Sequence, residues 1–447
     1  MRDFSYAFSF VWRKTAAMEI YRLSSHNCLC LYCTKEKNMD KNTKKGFWTI
    51  RYTLLNATYF AAFCTIHACA AVYLLANGFT NTQVGVLLAV ANIASAVFQP
   101  VIAGIIDKQG ALTNRRFILI SVLIILLGTV ILFFAHSSKP VVFIIYALIY
   151  MVQFAYQPVM TALCFEYQKA GCNIQFGISR GLGSASFAVT SVFIGSAVEN
   201  HGVSILMITT AVIMLVSAII IFTFKKPART ESSAKDNLAS SAASGASHGV
   251  SHSSFTGFVR AYPAFALYLL GTVCFFFAHN MINDFMIQII RSLGGVEKEL
   301  GYSNFLQSIL ELPVMALIGL VLKKISSRRL LVISGTAFFV KIFILLFASN
   351  MVMMYVSQSF QLFAYAVFIP AAAYYVSQTM DEFDQVKGQA YVTSAITLGG
   401  VFSNFISGVI LDSFGIVPML TTGAVVCTAG VVLAFIAMGK LPHRRVA

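Results

Sequence analysis

Apolar runs of roughly 20 residues, each long enough to cross a bilayer core of about 30 Å as a helix, recur twelve times along the chain. They fall at about 52–76, 82–105, 116–136, 140–166, 177–199, 203–224, 262–290, 301–322, 329–349, 351–378, 388–411 and 415–438. Composition agrees with a chain dissolved in lipid. Hydrophobic residues make up 58% of 447 positions and charged residues 11%, against about 25% charged in a soluble domain, and the mean hydropathy is +0.77. The pattern predicts an all-α polytopic membrane protein with twelve transmembrane helices.

The formal net charge is +15, which in a soluble chain would suggest nucleic acid. Here the basic residues fall in alternate loops. One side carries Lys44, Lys45 and Arg51, then Lys108, Arg115 and Arg116, Lys169 and Arg180, Lys225 and Lys226, Lys323, Lys324, Arg328 and Arg329, and finally Lys440, Arg444 and Arg445. The other side has "NGFTNTQ", "HSSKP", "ENHG", "SLGGVEKEL" and "DSFG". By the positive-inside rule both termini are expected in the cytoplasm, with the chain in the cytoplasmic (inner) membrane. The excess charge then sets orientation, and no nucleic-acid partner is expected.

Residues 1–46 read as a cytoplasmic N-terminal extension, and "MDKNTKKGFWTIRY" from Met39 has the form of an ordinary lead-in to the first helix. "CLCLYC", Cys28 to Cys33, has no second cluster or histidine pair to complete a metal site, so no metal is expected there. The stretch 225–261 is Ser/Ala/Gly-rich and reads as a flexible cytoplasmic linker between six-helix bundles at 47–224 and 262–439, with 440–447 as a tail. Internal symmetry supports that division. "GSAVENHG" and "GVILDSFG" place Glu199 and Asp412 213 residues apart, and "GIIDKQGALTNRR" and "GLVLKKISSRR" place Arg115 and Arg328 at the same separation. Two pairs at one offset in matching loops indicate two pseudo-symmetric bundles from a duplicated unit.

The loop "AGIIDKQGALTNRR" puts Asp107 at a helix end, Lys108 and Gly110 in the turn and Arg115/Arg116 at the next helix start. Charges so placed can latch neighbouring helices in one access state and release them in the other. The loop resembles the cytoplasmic signature G-x-x-x-D-R/K-x-G of the major facilitator superfamily, with Ala103 at the first position and Gly104 one place late. Together with "FGISRGLGSASFA", "LGYSNFLQSILELPVM", "RRLLVISGTAFFVKI" and "ISGVILDSFG", it resembles the lactose permease branch, the oligosaccharide:proton symporters and their nucleoside-transporting relatives, over roughly 47–439. The resemblance implies the MFS fold and alternating access.

Charges inside the membrane are costly and mark function. Glu311, in "SILELPV" ahead of Pro313, is the best candidate for a proton-carrying carboxyl, with Lys341 of the next span as its counter-charge. His279 and Asp284, in "FFFAHNMINDFM", are further proton-coupling candidates, although a five-residue step does not stack them on one helical face. Carried over from the resemblance, the lactose permease arginine of span nine falls on Lys341, the span-ten histidine and glutamate on Gln361 and Ala364, the span-eleven lysine near Gly399 and the span-four glutamate near Thr161. Arg180 and Phe187 match the surviving half of that family's sugar clamp. Tyr150, Tyr156, Gln361 and Tyr365 are candidate substrate contacts because they lie mid-span in helices expected to line the cavity. His67 either joins them or bonds a neighbouring helix. In span five, Gly177, Gly181 and Ala185 form a small-xxx-small face suited to close helix packing.

The expected function is secondary transport of a small neutral polar solute, a saccharide or nucleoside, with a proton as coupling ion, no cofactor and a monomeric chain in the lipid bilayer. Export of drugs or hydrophobic metabolites is the alternative within transport, and a non-transporting membrane sensor or scaffold the alternative outside it. No nucleophile–base set or phosphate loop points to an enzyme or to ATP-driven transport.

Overall fold

The computed structural model describes residues 47–107, 112–135, 137–225 and 255–439. The Cys28–Cys33 cluster, the Met39 lead-in, most of the linker, the tail, Lys108 and Gly110 lie outside the described residues. Twelve helical spans follow one another: α1 (Phe47–Ala68, continued by Ala70–Ala76 after a 46° bend), α2 (Asn81–Asp107), α3 (Asn114–Phe134), α4 (Lys139–Lys169), α5 (Phe176–His201) and α6 (Ser204–Thr223). After a short helix, Phe255–Ala261, come α7 (Pro263–Asp284, continued by Met286–Ser292), α8 (Glu297–Lys324), α9 (Ser327–Leu346), α10 (Met351–Thr379), α11 (Glu382–Phe414) and α12 (Ile416–Gly439).

Ten of these helices are long and apolar enough to cross a membrane individually, and the bent α1 makes an eleventh. The remaining span, α8, has the length at 28 residues, but carries glutamates and lysines in its first and last turns and Glu311 in its middle. A helix that polar belongs in a protein interior rather than against lipid. The repeat is visible in the register: Asn114 and Ser327, which open α3 and α9, are 213 residues apart, as Arg115 and Arg328 are.

In the first half α3 packs on α4 and α6, and α2 on α4; in the second, α7 packs on α11 and α12, and α9 on α10 and α12. Tyrosine does much of the interhelical bonding, its ring filling apolar space while its hydroxyl finds a carbonyl. Tyr73 donates to Leu132 O, Tyr167 to Phe224 O, and Tyr146 to Ile66 O at 2.6 Å. The last bond lies in a π-helical turn, Cys64–Ala68, that widens α1 at mid-span.

The halves meet along two seams, α2 against α11 and α5 against α8. At the end of the bundle with few basic residues, the neutral end, both seams are closed by glycine. A Cβ on Gly195 of α5 would stand 2.7 Å from the Glu297 carbonyl oxygen, and one on Gly301 of α8 2.3 Å from that of Ser191. In the other seam, Gly85 would meet Asn404 O and Gly408 would meet Asn81 O. Towards the basic end, Gly177 and Gly181 of α5 and Gly319 of α8 face open space, with nothing within 4 Å of a Cβ position. The small-residue face expected to press span five against a neighbour is therefore open here. The close approach uses Gly195, while Gly183 seats against Phe60. Close glycine contact at the neutral end and open space at the basic end are the pattern of two halves joined at the neutral end.

Candidate functional site

Three irregular turns interrupt the spans, and each falls on or next to a polar residue. The π turn of α1 carries His67; α7 breaks at Phe285, immediately after Asp284; and a 3₁₀ turn, Phe360–Leu362, carries Gln361 in α10. Irregular backbone inside a membrane is tolerated where it is buried in protein or lines a cavity, and π turns recur at functional sites.

Gln361 is the hub of the second half. Its amide nitrogen donates to Glu311 Oε1 at 2.9 Å, and its amide oxygen accepts from Lys341 Nζ at 2.9 Å. Lys341 is fully buried and also donates to Gln307 Oε1 at 3.3 Å. The direct Glu311–Lys341 ion pair expected from adjacent spans is thus replaced by an amide bridge. The 3₁₀ turn in α10 brings Gln361 between α8 and α9, keeping both charges hydrogen-bonded without contact. Across the cleft, Arg180 of α5 is within Coulombic reach of Glu311 and Tyr365. Its guanidinium lies 4.2 Å above the Phe60 ring and donates to Ser184 Oγ at 2.9 Å.

A histidine held among aromatic rings, with a tyrosine beside it, appears once in each half. His67 lies 3.8 Å from Tyr150 by ring centroids and 4.1 Å from Phe63, with which it is parallel, and Phe154 closes its edge. His279 stacks on Tyr365 at 5.4 Å, and its Nε2 accepts from Asn283 Nδ2 at 3.0 Å. Both ring nitrogens of His67 are buried without a hydrogen-bond partner, as is Nδ1 of His279. Phe187 is half-buried, 6.3 Å from Phe63, beside the first stack. Tyr156 is different: it is fully buried edge-on to Tyr59 at 4.8 Å, in the packing of α1 on α4. Asp284 lies at the end of the first α7 segment, one turn beyond Asn280, which packs on Gly400 of α11.

Of the loop residues expected to gate, Arg115 bonds within its own half. Its guanidinium donates to Ile221 O at 3.0 Å and Phe222 O at 2.7 Å, and Arg51 donates to Thr223 O, so the two cap the C-terminus of α6, where cations are favoured. The Arg116 backbone N–H is taken by Thr113 Oγ1. Asp107 ends α2. The closed end instead holds a latch that sequence reading assigned only to the repeat. Asp412 of α11 accepts from the Asn81 and Thr82 backbone N–H groups, at 3.1 and 2.7 Å, and from Asn81 Nδ2 at 2.8 Å. It thereby caps the N-terminus of α2 from the opposite half, satisfying free N–H groups and the positive end of the helix dipole. Gln288 of α7 donates to Asn81 Oδ1 at 2.9 Å, extending the latch. The G-x-x-x-acid-x-x-G frame was the signal that could have found it.

No group of three His, Cys, Asp or Glu side chains suited to a metal occurs among the described residues.

A family model described as MFS_1 like family matches residues 49–421. Solved structures similar to this chain include the nucleoside transporter NupG, with a TM-score of 0.68 at 14% identity, covering 88% of this chain and 100% of that one. A D-xylose-proton symporter gives 0.67 at 12% identity, covering 89% and 98%. A bacterial homologue of the human lysosomal transporter Spinster, inward-facing and unoccupied, gives 0.61 at 14% identity, covering 89% and 96%. No curated protein matches the chain in sequence.

Proposed function

This chain belongs to the MFS_1 like family, and on that premise we propose that it is a secondary transporter moving a small neutral polar solute, a saccharide or nucleoside, by alternating access with a proton as coupling ion. The observation that carries this reading is the contrast between the two ends: two seams joined by glycine contacts and a carboxylate latch at the neutral end, and glycines of α5 and α8 facing open space at the basic end, which we read as a one-sided cleft with a polar centre. Such a molecule presents its centre to one side at a time. Since the basic end is cytoplasmic by the positive-inside rule, the cleft opens towards the cytoplasm. The rocking bodies are 47–224 and 262–439.

The centre suits an uncharged solute. The first half contributes aromatic surface, Phe63, Tyr150, Phe154 and Phe187, around His67, and the second contributes Tyr365 and the Gln361 amide. Arg180 and Glu311 face one another across the cleft, so their charges balance when the halves approach. Proton coupling falls to Glu311. Protonation would remove its charge and weaken its hold on Gln361, freeing that amide to turn wholly towards Lys341. Structural neighbours named as a nucleoside transporter and a D-xylose-proton symporter support the substrate class by fold alone.

The test is solute-dependent proton movement in proteoliposomes, screened across saccharides and nucleosides. Internal acidification or external alkalinisation on adding one of them is expected, and none with any solute would sink the symport reading. Glu311→Gln should abolish proton-driven accumulation while leaving solute exchange, which needs no net proton step.

A further inference from the structure

The break in α7 gathers oxygen atoms that the proton network does not use. Asp284 is the last residue before the break, and Asn404 stands one turn beyond Gly400, which packs on Asn280, itself one turn before Asp284. Asn404 is fully buried, and neither its oxygen nor its nitrogen makes a hydrogen bond. An orphaned buried amide costs about 1–3 kcal/mol, so its retention beside a carboxylate needs a reason.

Two more unpaired oxygens lie on the same two helices, within about one turn. Helices α7 and α11 run in the same direction in close contact, with Gly399 against Val273, Phe276 and Phe277, and Gly400 against Asn280. Equal rise along both helices from the Gly400–Asn280 contact then sets Asn404 level with Asp284 and Ser407 level with Ile287. Ser407 is fully buried with its hydroxyl unpartnered. Gln288, one turn beyond Asp284, uses its amide nitrogen on Asn81 and leaves Oε1 buried and unpaired. The end of the first α7 segment adds main-chain carbonyls, which a helix C-terminus leaves free.

We propose that these groups form a binding site for a monovalent alkali cation, sodium, with Asp284 as the charged ligand and Asn404, Ser407 and Gln288 as neutral ones. The donor set is all oxygen, which selects a hard cation. Its single carboxylate balances one positive charge in a setting where net charge is costly, whereas calcium takes 6–8 oxygens. A proton on Asp284 would engage one neighbouring oxygen and leave the others unpaired, while a cation engages all of them. Half-helix C-termini at a broken span are suited to such ions. Gln288 also holds Asn81, which holds Asp412, so occupancy is linked to the neutral-end closure. The inference rests on the transporter reading, but on a different carboxylate from the one assigned to the proton.

The experiment is thermal unfolding of the purified full chain in NaCl, LiCl, KCl and choline chloride at equal ionic strength, with ²²Na binding as a second measurement. Sodium, and lithium more weakly, should raise the melting temperature saturably, while potassium and choline should not. Asp284→Asn should remove the shift and the bound ²²Na, and Ser407→Ala should weaken affinity about tenfold, the order seen when support for a metal site is lost. Glu311→Gln should keep both. A sodium response no larger than that of potassium overturns the site, as does full ²²Na binding by Asp284→Asn. If Asp284→Asn loses proton-driven uptake in the absence of any sodium effect, Asp284 serves the proton and the site is likewise overturned. A sodium shift that persists when no solute moves protons leaves this site standing and removes the proton reading instead.

Discussion

At the scale of single residues, the molecule separates two buried charges with an amide. Gln361 accepts from Lys341 and donates to Glu311, so replacing it removes a partner from each. Gln361→Leu is expected to lower stability by about 2–4 kcal/mol, the range for leaving a buried charge short of a hydrogen bond, as measured by denaturant titration in detergent. The double variant Glu311→Gln/Lys341→Met should cost less than the sum of its singles, because each single leaves the other charge buried alone. Glu311 and Lys341 were legible in the sequence, since a charge among apolar residues announces itself. Their relation was not. It depends on the 3₁₀ turn at Phe360–Leu362, and no periodicity in "SQSFQLFAY" marks that turn. His67 was likewise visible as a polar residue at mid-span, but its place beside Phe63 and Tyr150 goes with a π turn whose Ile66 carbonyl is taken by Tyr146, a residue eighty positions away.

At the scale of elements, glycine and one carboxylate decide which helix ends touch. Gly195→Val puts side-chain atoms where the Glu297 carbonyl stands, and because that neighbour is backbone it cannot turn aside. The seam should fail to close, shifting the protein to conformations open at the neutral end. Spin-label distances between the neutral ends of α5 and α8 would lengthen, whereas Gly181→Val, facing open space, should leave them unchanged. The helices themselves were legible because a bilayer demands about 20 apolar residues for each crossing, and the observed spans fall close to the expected ones. Which glycines would lie at the contact was not. Gly177, Gly181 and Ala185 have the spacing of a packing face, yet spacing says nothing about which end of a cleft is shut. Only the access state decides that.

At the scale of the whole molecule, the cleft predicts sidedness. A cysteine introduced as Gly181→Cys should react with a membrane-impermeant thiol reagent from the basic face and resist it from the neutral face; equal labelling from both would remove the one-sided cleft. The buried native cysteines, such as Cys64, Cys69 and Cys427, should react slowly from either side. The duplicated plan was readable from a separation of 213 residues between matching loop charges. What the sequence pattern did not convey is that the two seams are held differently. The α2–α11 seam has three charge-assisted bonds to Asp412, whereas the α5–α8 seam has glycine contact and the Ser191 hydroxyl 3.0 Å from Gly301 O. A motion between the halves that kept perfect two-fold symmetry would strain both seams alike. With unequal fastening, the motion that breaks fewest charged bonds turns about the α2–α11 seam. The Asp412 cap becomes the pivot and the glycine-packed α5–α8 side sweeps the longer arc, so the neutral mouth opens as a wedge, widest beside α5 and α8.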